Sequence, residues 1–199
     1  MRVLAIDPGT TKSGWCLLED GVPLKWGWSK NLNLGASVRK FVEYDKNPWS
    51  HVVIEDVGNY GMAVGRDTFE TVKWIGRFDP FDVATMIPRP TIKTHLCGVA
   101  SAKDGNVRQA LIDRYGGDEV AVGGKKCQTC KGKGWKGAGR PVCEECNGDK
   151  YETPPGVLHG ISGHAWSALA VGVTYLDQVT VTPAQHVSAV GVVVEQAAE

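Results

Sequence analysis

The sequence has no excess of charge of either sign, with 22 Lys and Arg against 22 Asp and Glu in 199 residues. A global field for nucleic acid or an anionic surface is thereby excluded, so any anion-binding surface has to be a local patch. No apolar run reaches the length of a membrane span. The start, MRVLAIDPGT, has neither a long apolar h-region nor a small-residue cleavage site, and a soluble cytosolic protein is expected. Cysteine is scarce outside one cluster: Cys16 and Cys97 stand alone in apolar contexts, which argues against a secreted disulfide framework. There is no internal repeat. One stretch, 123–155, is nearly free of aliphatic residues and cannot build a core of its own, whereas the full length suits one globular domain with room for a small insertion.

What is present is organised around the first twenty residues. Val3-Leu4-Ala5-Ile6 has no polar member, as in a strand buried on both faces of a sheet. Asp7 ends it, Pro8-Gly9 forces a turn, and Ser13 to Leu18 returns as a second strand, with Asp20-Gly21 as the next hairpin signal. A carboxylate there, followed by Gly and small hydroxyl residues, suits a site where backbone amides and a divalent cation meet a phosphate. An Asp before Pro-Gly also caps its own turn, and that reading stays open.

Val22 to Trp28 alternates as a third antiparallel strand, and Leu34 to Tyr44 has helical spacing. His51 to Val57 is another apolar strand ending in acid, at Glu55. Neighbouring strands lie about 4.8 Å apart, so two carboxylates ending adjacent strands at one edge come within reach of shared cations. Asp67 to Arg77 reads as a helix with Phe69, Val72, Trp74 and Ile75 on its buried side. Phe81 to Ile87 reads as a fifth strand, Pro88-Arg89-Pro90 as a break, Ala102 to Tyr115 as a helix stopped by Gly116-Gly117, and Gly160 to Val179 as a last, small-residue-rich helix. The Val- and Ala-rich tail, 180–199, is compatible with a strand or a mobile end. This order implies an α/β domain with a mixed sheet flanked by helices.

The strongest single motif lies in the aliphatic-poor stretch. Cys127-Gln128-Thr129-Cys130 and Cys143-Glu144-Glu145-Cys146 are two CxxC pairs, each able to offer two thiolates to one tetrahedral zinc ion that replaces the missing core. A redox CxxC is the competing reading. Lys125, Lys126, Lys131, Lys133, Lys136 and Arg140 surround Trp135, a composition suited to phosphates and base stacking or, alternatively, to a solvated loop.

Several segments carry a family resemblance. Ala5-Ile6-Asp7-Pro8-Gly9-Thr10-Thr11-Lys12-Ser13-Gly14-Trp15 resembles the opening of RuvC-type Holliday-junction resolvases, and Val53-Ile54-Glu55 their second acid-ended strand. Gly98 to Lys103 resembles the lead-in to a helix whose basic residue, here Lys103, faces DNA. Gly163 to Ala170 resembles the C-terminal helix that carries the remaining acids. Gly-bearing turns after both CxxC pairs resemble the zinc knuckles of DnaJ chaperones.

The resemblance implies a ribonuclease H-like nuclease domain (1–119 and 156–179), a zinc-binding insertion (120–155) and a C-terminal tail (180–199). It implies cleavage of branched DNA, four-way junctions included, with two Mg²⁺ or Mn²⁺ ions per active site and one structural Zn²⁺. It also implies a homodimer working in recombination and repair in the cytoplasm of a bacterial cell or phage-infected host. Asp7 would bridge the cations and Glu55 would bind one. Where the family has two acids three residues apart, this chain has His164 and Ser167. His164 can still ligate, and Asp104 is a candidate for the lost oxygen, although an Asp at a helix start also serves as a cap. His159 is read as a loop residue, and Tyr60 as a candidate for the family's junction wedge. Two alternatives remain: a branched-DNA-binding protein without cleavage, motivated by Ser167, and an actin-like phosphate-loop ATPase, motivated by Asp7-Pro8-Gly9-Thr10-Thr11.

Overall fold

The computed structural model describes residues 1–44, 50–58, 64–79, 81–135 and 141–181. Strands β1 (Arg2–Asp7), β2 (Lys12–Glu19) and β3 (Val22–Lys30) form an antiparallel meander. Its second turn, Asp20-Gly21, places both residues at positive φ (49° and 83°), the backbone that a two-residue hairpin needs and that Asp-Gly accommodates. Helix α1 (Asn31–Tyr44) leads to β4 (Ser50–Asp56), parallel to β1. Helix α2 (Arg66–Phe78) then leads to β5 (Thr85–Pro88), parallel to β4. The sheet order is β3-β2-β1-β4-β5, so both acid-ended strands are interior. Helices α3 (Arg89–Cys97) and α4 (Asp104–Arg114), a π-helical turn (Asp118–Val122) and helix α5 (His164–Val181) complete the described elements.

Period-two alternation divides the core. Val3 and Ala5 of β1, Cys16 and Leu18 of β2 and Val53 of β4 face α5, whereas Leu4, Ile6, Val52 and Ile54 face α1 and α2. Glycine sets how closely α5 approaches. A Cβ on Gly172 would lie 2.5 Å from Leu18 Cδ1 and 3.0 Å from Ala5 Cβ, and one on Gly14 would lie 2.4 Å from the His164 carbonyl oxygen. Because Gly14 pairs with Asp7 across β1 and β2, the same close approach brings the first turn of α5 to the end of β1.

Five expectations need correction. Helix α1 starts at Asn31, whose side chain donates to the Gly9 carbonyl (2.8 Å) and accepts from Ser13 Oγ (2.8 Å), while the Gly9 N–H donates to Ser13 Oγ (3.1 Å); the polar residue staples the β1–β2 loop and opens the helix. In α2 the buried residues are Thr71, Ile75 and Phe78, whereas Phe69 and Val72 are exposed. The helix has two apolar stripes, and only one meets α1 and the sheet. The fifth strand is confined to Thr85–Pro88. Pro88-Arg89-Pro90 is a helix start, because proline in the first turn lacks only an N–H that has no partner there. Helix α5 runs from His164 through Val181, starting after its expected start at Gly160 and ending beyond its expected end at Val179; residues 182–199 lie outside the described residues.

The cysteine-rich insertion stands on a crossed neck. Gly123 bridges Pro155, the Gly156 N–H donates to the Val122 carbonyl (3.0 Å), and the Leu158 N–H donates to the Ala121 carbonyl (2.7 Å). Ala121 and Leu158 belong to the main core. Among the described residues no helix is long and apolar enough to cross a membrane.

Candidate active site and cysteine centre

Ile6 pairs with Ile54 in parallel register, so Asp7 and Glu55 occupy the next rung, about one strand spacing apart. Both continue the face that Val3, Ala5 and Val53 turn toward α5, and both are buried, 7% exposed each. His164, the first residue of α5, brings Nδ1 to 2.9 Å from Asp7 Oδ2, with its ring largely open to solvent. Ser167, one turn on, lines the same cleft and adds a lowering influence on the Asp7 carboxyl. Burial raises the Asp7 pKa above the usual carboxylate range, against the lowering by His164, Arg89 and Ser167. Glu55 is pushed up to about 7 by burial first and by the Asp7 charge second, against the pull of Arg89. Two buried carboxylates side by side are short of positive charge, and that donor set fits a hard divalent cation.

The expected set omitted Arg89. From the first position of α3 it donates Nη1 to Glu55 Oε1 at 2.6 Å and Nη2 to Asp104 Oδ1 at 2.8 Å. No motif marks an arginine between two prolines; the only signal was Glu55's place on the strand beside β5. Asp104 is the first residue of α4, after Lys103, whose side chain makes no cap bond. Its carboxylate is solvent-exposed and meets Arg89 and, at 3.6 Å, Lys93. Asp104 thus shares the edge of the site through Arg89. Lys103 is exposed at the same helix start. The cleft, with a volume of about 430 Å³, runs from Glu55 and His164 past Arg89, Lys93 and Asp104 to Arg108. The Arg108 guanidinium lies 4.9 Å from the centre of the Trp166 ring, which fixes a cation on the cleft wall.

The second centre is separate. Cys127, Cys130, Cys143 and Cys146 are buried, with their sulfur atoms all within 4.8 Å of one another. The Cys127–Cys143 and Cys130–Cys146 distances are 3.8 and 3.7 Å, close to the edge of about 3.8 Å that a tetrahedron with 2.3 Å Zn–S bonds has. The Gly134 N–H donates to Cys130 Sγ at 3.2 Å. Burial opposes a thiolate at Cys130, but this and neighbouring N–H groups outweigh it and lower the pKa. Four thiols so arranged fit a closed structural zinc site. Lys131, Lys133 and Trp135 are exposed on this module, and Trp135 bridges Val142. His159 is a loop residue packed over Gly124, with Nδ1 3.2 Å from the Val122 carbonyl oxygen. Tyr60, Lys136 and Arg140 lie outside the described residues.

An interior pair of acid-ended strands in a five-stranded mixed sheet, closed by a helix that brings a third polar side chain to the same edge, is the ribonuclease H-like fold. Solved structures that share it include Thermus thermophilus RuvC, at 15% sequence identity and a TM-score of 0.54, covering 92% of this chain and 98% of that one. T. thermophilus RuvC in complex with Holliday junction substrate is similar at 16% identity and a TM-score of 0.52, with 91% and 96% covered. The resemblance to RuvC-type resolvases therefore holds in the fold of most of the chain. No protein-family model matches the sequence, and no match was found among curated proteins.

Proposed function

We propose that this protein is a divalent-metal-dependent endodeoxyribonuclease that cuts branched DNA, four-way junctions included. The observation that carries the reading is the juxtaposition of Asp7 and Glu55, buried on adjacent interior strands with His164 on Asp7. Asp7 and Glu55, with His164, are the residues that would hold Mg²⁺ or Mn²⁺. Such ions supply an activated water and a counter-charge for the leaving oxygen. His164 orients the Asp7 carboxylate through Nδ1. Ser167 supplies a hydroxyl where the resemblance leads one to expect an acid, so Asp7 and Glu55 carry most of the negative charge. Arg108 and Lys93 make the cleft wall attractive to a phosphodiester backbone.

The fold likeness to a protein solved with Holliday junction substrate supports branched DNA as the ligand. Lys103, Lys131, Lys133 and Trp135 are the described candidates for further DNA contact, and Tyr60 and Arg140 belong to the same proposal. Resolving a four-way junction requires two symmetric cuts, so a two-fold homodimer is part of the reading; Phe69 and Val72, exposed on α2, offer apolar surface for it. The cysteine quartet would bind one structural Zn²⁺.

The test is a labelled four-way junction with Mg²⁺ or Mn²⁺. Wild type is expected to nick it, and Asp7→Asn to lose on the order of 10²–10³-fold or more in rate while still shifting the junction on a gel. An equal nicking rate for both proteins refutes the site. A second reading, a junction-binding protein without cleavage, is favoured by Ser167 and by the Arg89–Glu55 ion pair; binding without nicking by wild type would establish it.

A further inference from the structure

Arg89 has no part in the chemistry above, yet it stands in the cleft paired to two carboxylates. It follows β5 directly, between Pro88 (φ −62°, ψ 139°) and Pro90 in the first turn of α3. Proline on both sides restricts the backbone, so the side chain projects from a preset base. One arm of the guanidinium meets buried Glu55 at 2.6 Å and the other meets exposed Asp104 at 2.8 Å. Asp104 is also approached by Lys93, so it has a second cation and Glu55 has none other among the described ion pairs. The fork therefore stands where the Asp7–Glu55 pair needs positive charge. A divalent cation on those carboxylates brings that charge in denser form and removes the attraction that holds Arg89 on Glu55. The arm released from Glu55 then turns to the cleft, while exposed Asp104, which also has Lys93, is a partner that a phosphate can displace; the whole guanidinium fork is matched in shape to two phosphate oxygens.

We propose that Arg89 is an exchangeable counter-ion: it neutralises Glu55 in the metal-free protein and, once a divalent cation has taken its place, grips the DNA phosphate at the cleft. This deepens the nuclease reading and rests on it. In this scheme Arg89 competes with metal when DNA is absent and assists binding when DNA is present, two effects of opposite sign from one side chain. A purely structural ion pair would give neither.

The experiment measures Mn²⁺ binding without DNA by titration calorimetry, and junction binding in Ca²⁺ by fluorescence anisotropy, for wild type, Arg89→Gln, Arg89→Lys and Asp7→Asn. Removal of the competing charge in Arg89→Gln is expected to tighten Mn²⁺ about tenfold and to weaken the junction about tenfold, the worth of one charged hydrogen-bonded contact. Arg89→Lys, which keeps the charge and loses the fork, is expected to bind Mn²⁺ nearly as wild type does and the junction more weakly; it also carries the test if Arg89→Gln fails to fold. Unchanged or weaker Mn²⁺ binding in Arg89→Gln, or wild-type junction affinity in Arg89→Lys, overturns the proposal. If wild type binds Mn²⁺ no better than Asp7→Asn, the nuclease reading itself fails. Asp7-dependent Mn²⁺ binding that is indifferent to Arg89 sinks only the exchange.

Discussion

The ribonuclease H-like body and the cysteine-rich insertion reach order by opposite means. In the body, Val3, Ala5, Ile6, Val53 and Ile54 are wholly inaccessible, and helices cover the sheet on both faces. Between residues 123 and 155, the only described buried residues are Cys127, Cys130, Cys143, Cys146 and the glycine at 134. Hydrophobic transfer therefore stabilises the first region and has almost nothing to act on in the second. The insertion hangs on backbone hydrogen bonds at a glycine neck and on four clustered thiols, which a bound metal would join into one centre. Stability of the two regions should respond to different reagents.

The largest effect expected from that contrast is the response to zinc removal. Structural zinc is worth about 10–16 kcal/mol in small zinc-binding modules, so a strong chelator, or Cys127→Ser, should unfold residues 123–155 and leave the body's melting transition in place. Limited proteolysis and hydrogen exchange would read the difference as cleavage and lost protection confined to the insertion. A single transition, in which body and insertion melt together on chelation, would break the comparison. It would mean that Ala121 and Leu158, the points where the neck enters the main core, transmit the loss.

The same contrast explains what could be read from the chain itself. Cys127-x-x-Cys130 and Cys143-x-x-Cys146 were legible because metal ligation is a matter of local spacing. The apolar runs ending at Asp7 and Glu55 were legible because a strand buried on both faces has no polar members until it leaves the sheet. Arg89 was not, because its importance arises only from the register that sets β5 beside β4, a long-range fact without a local pattern. The buried side of α2 holds for Ile75 and for Trp74, which packs against the core, and fails for Phe69 and Val72, which look as core-seeking; only the position of α1 decides between the two stripes. Helix α3 was hidden by prolines that break a helix interior but suit its first turn.

A second, smaller test concerns charge in the body. Glu55 has a pKa of about 7 in the folded protein against an ordinary value of 4.5, and the Asp7 pKa is raised as well. Between pH 4.5 and 7 the folded state therefore holds more protons than the unfolded one, so the metal-free body should lose stability as pH rises through that window. The Glu55 shift alone corresponds to on the order of 3 kcal/mol. Asp104 and Asp177, whose pKa values are lowered, act in the opposite direction and only below the window. Thermal melts with a chelator of divalent ions should fall from pH 5 to pH 7.5, and Glu55→Gln should flatten the profile. Mg²⁺, which binds the ionised form, should flatten it too. A wild-type profile already flat without metal would mean that Arg89 fully neutralises Glu55. The insertion, held by thiolates, should show the reverse slope in its zinc affinity, weakening as pH falls and the thiols take up protons.

The smallest effect separates the two regions by their tolerance of one methyl group. Gly14→Ala places a Cβ 2.4 Å from the backbone oxygen of His164, and neither β2 nor the start of α5 can yield cheaply; overpacking of this kind costs about 1–3 kcal/mol. Because α5 must lift at the end that carries His164 and Ser167, the variant should lose nicking activity out of proportion to its lowered melting temperature. Gly132→Ala in the insertion meets only the flexible Lys126 side chain, at 3.1 Å and beyond. Its penalty is the left-handed backbone at φ 76°, about 1 kcal/mol, felt as weaker zinc binding with an unchanged body. Equal losses of body stability from both substitutions would show that the two regions share one cooperative unit, and that close packing of α5 on β2 is not what presents His164 to Asp7.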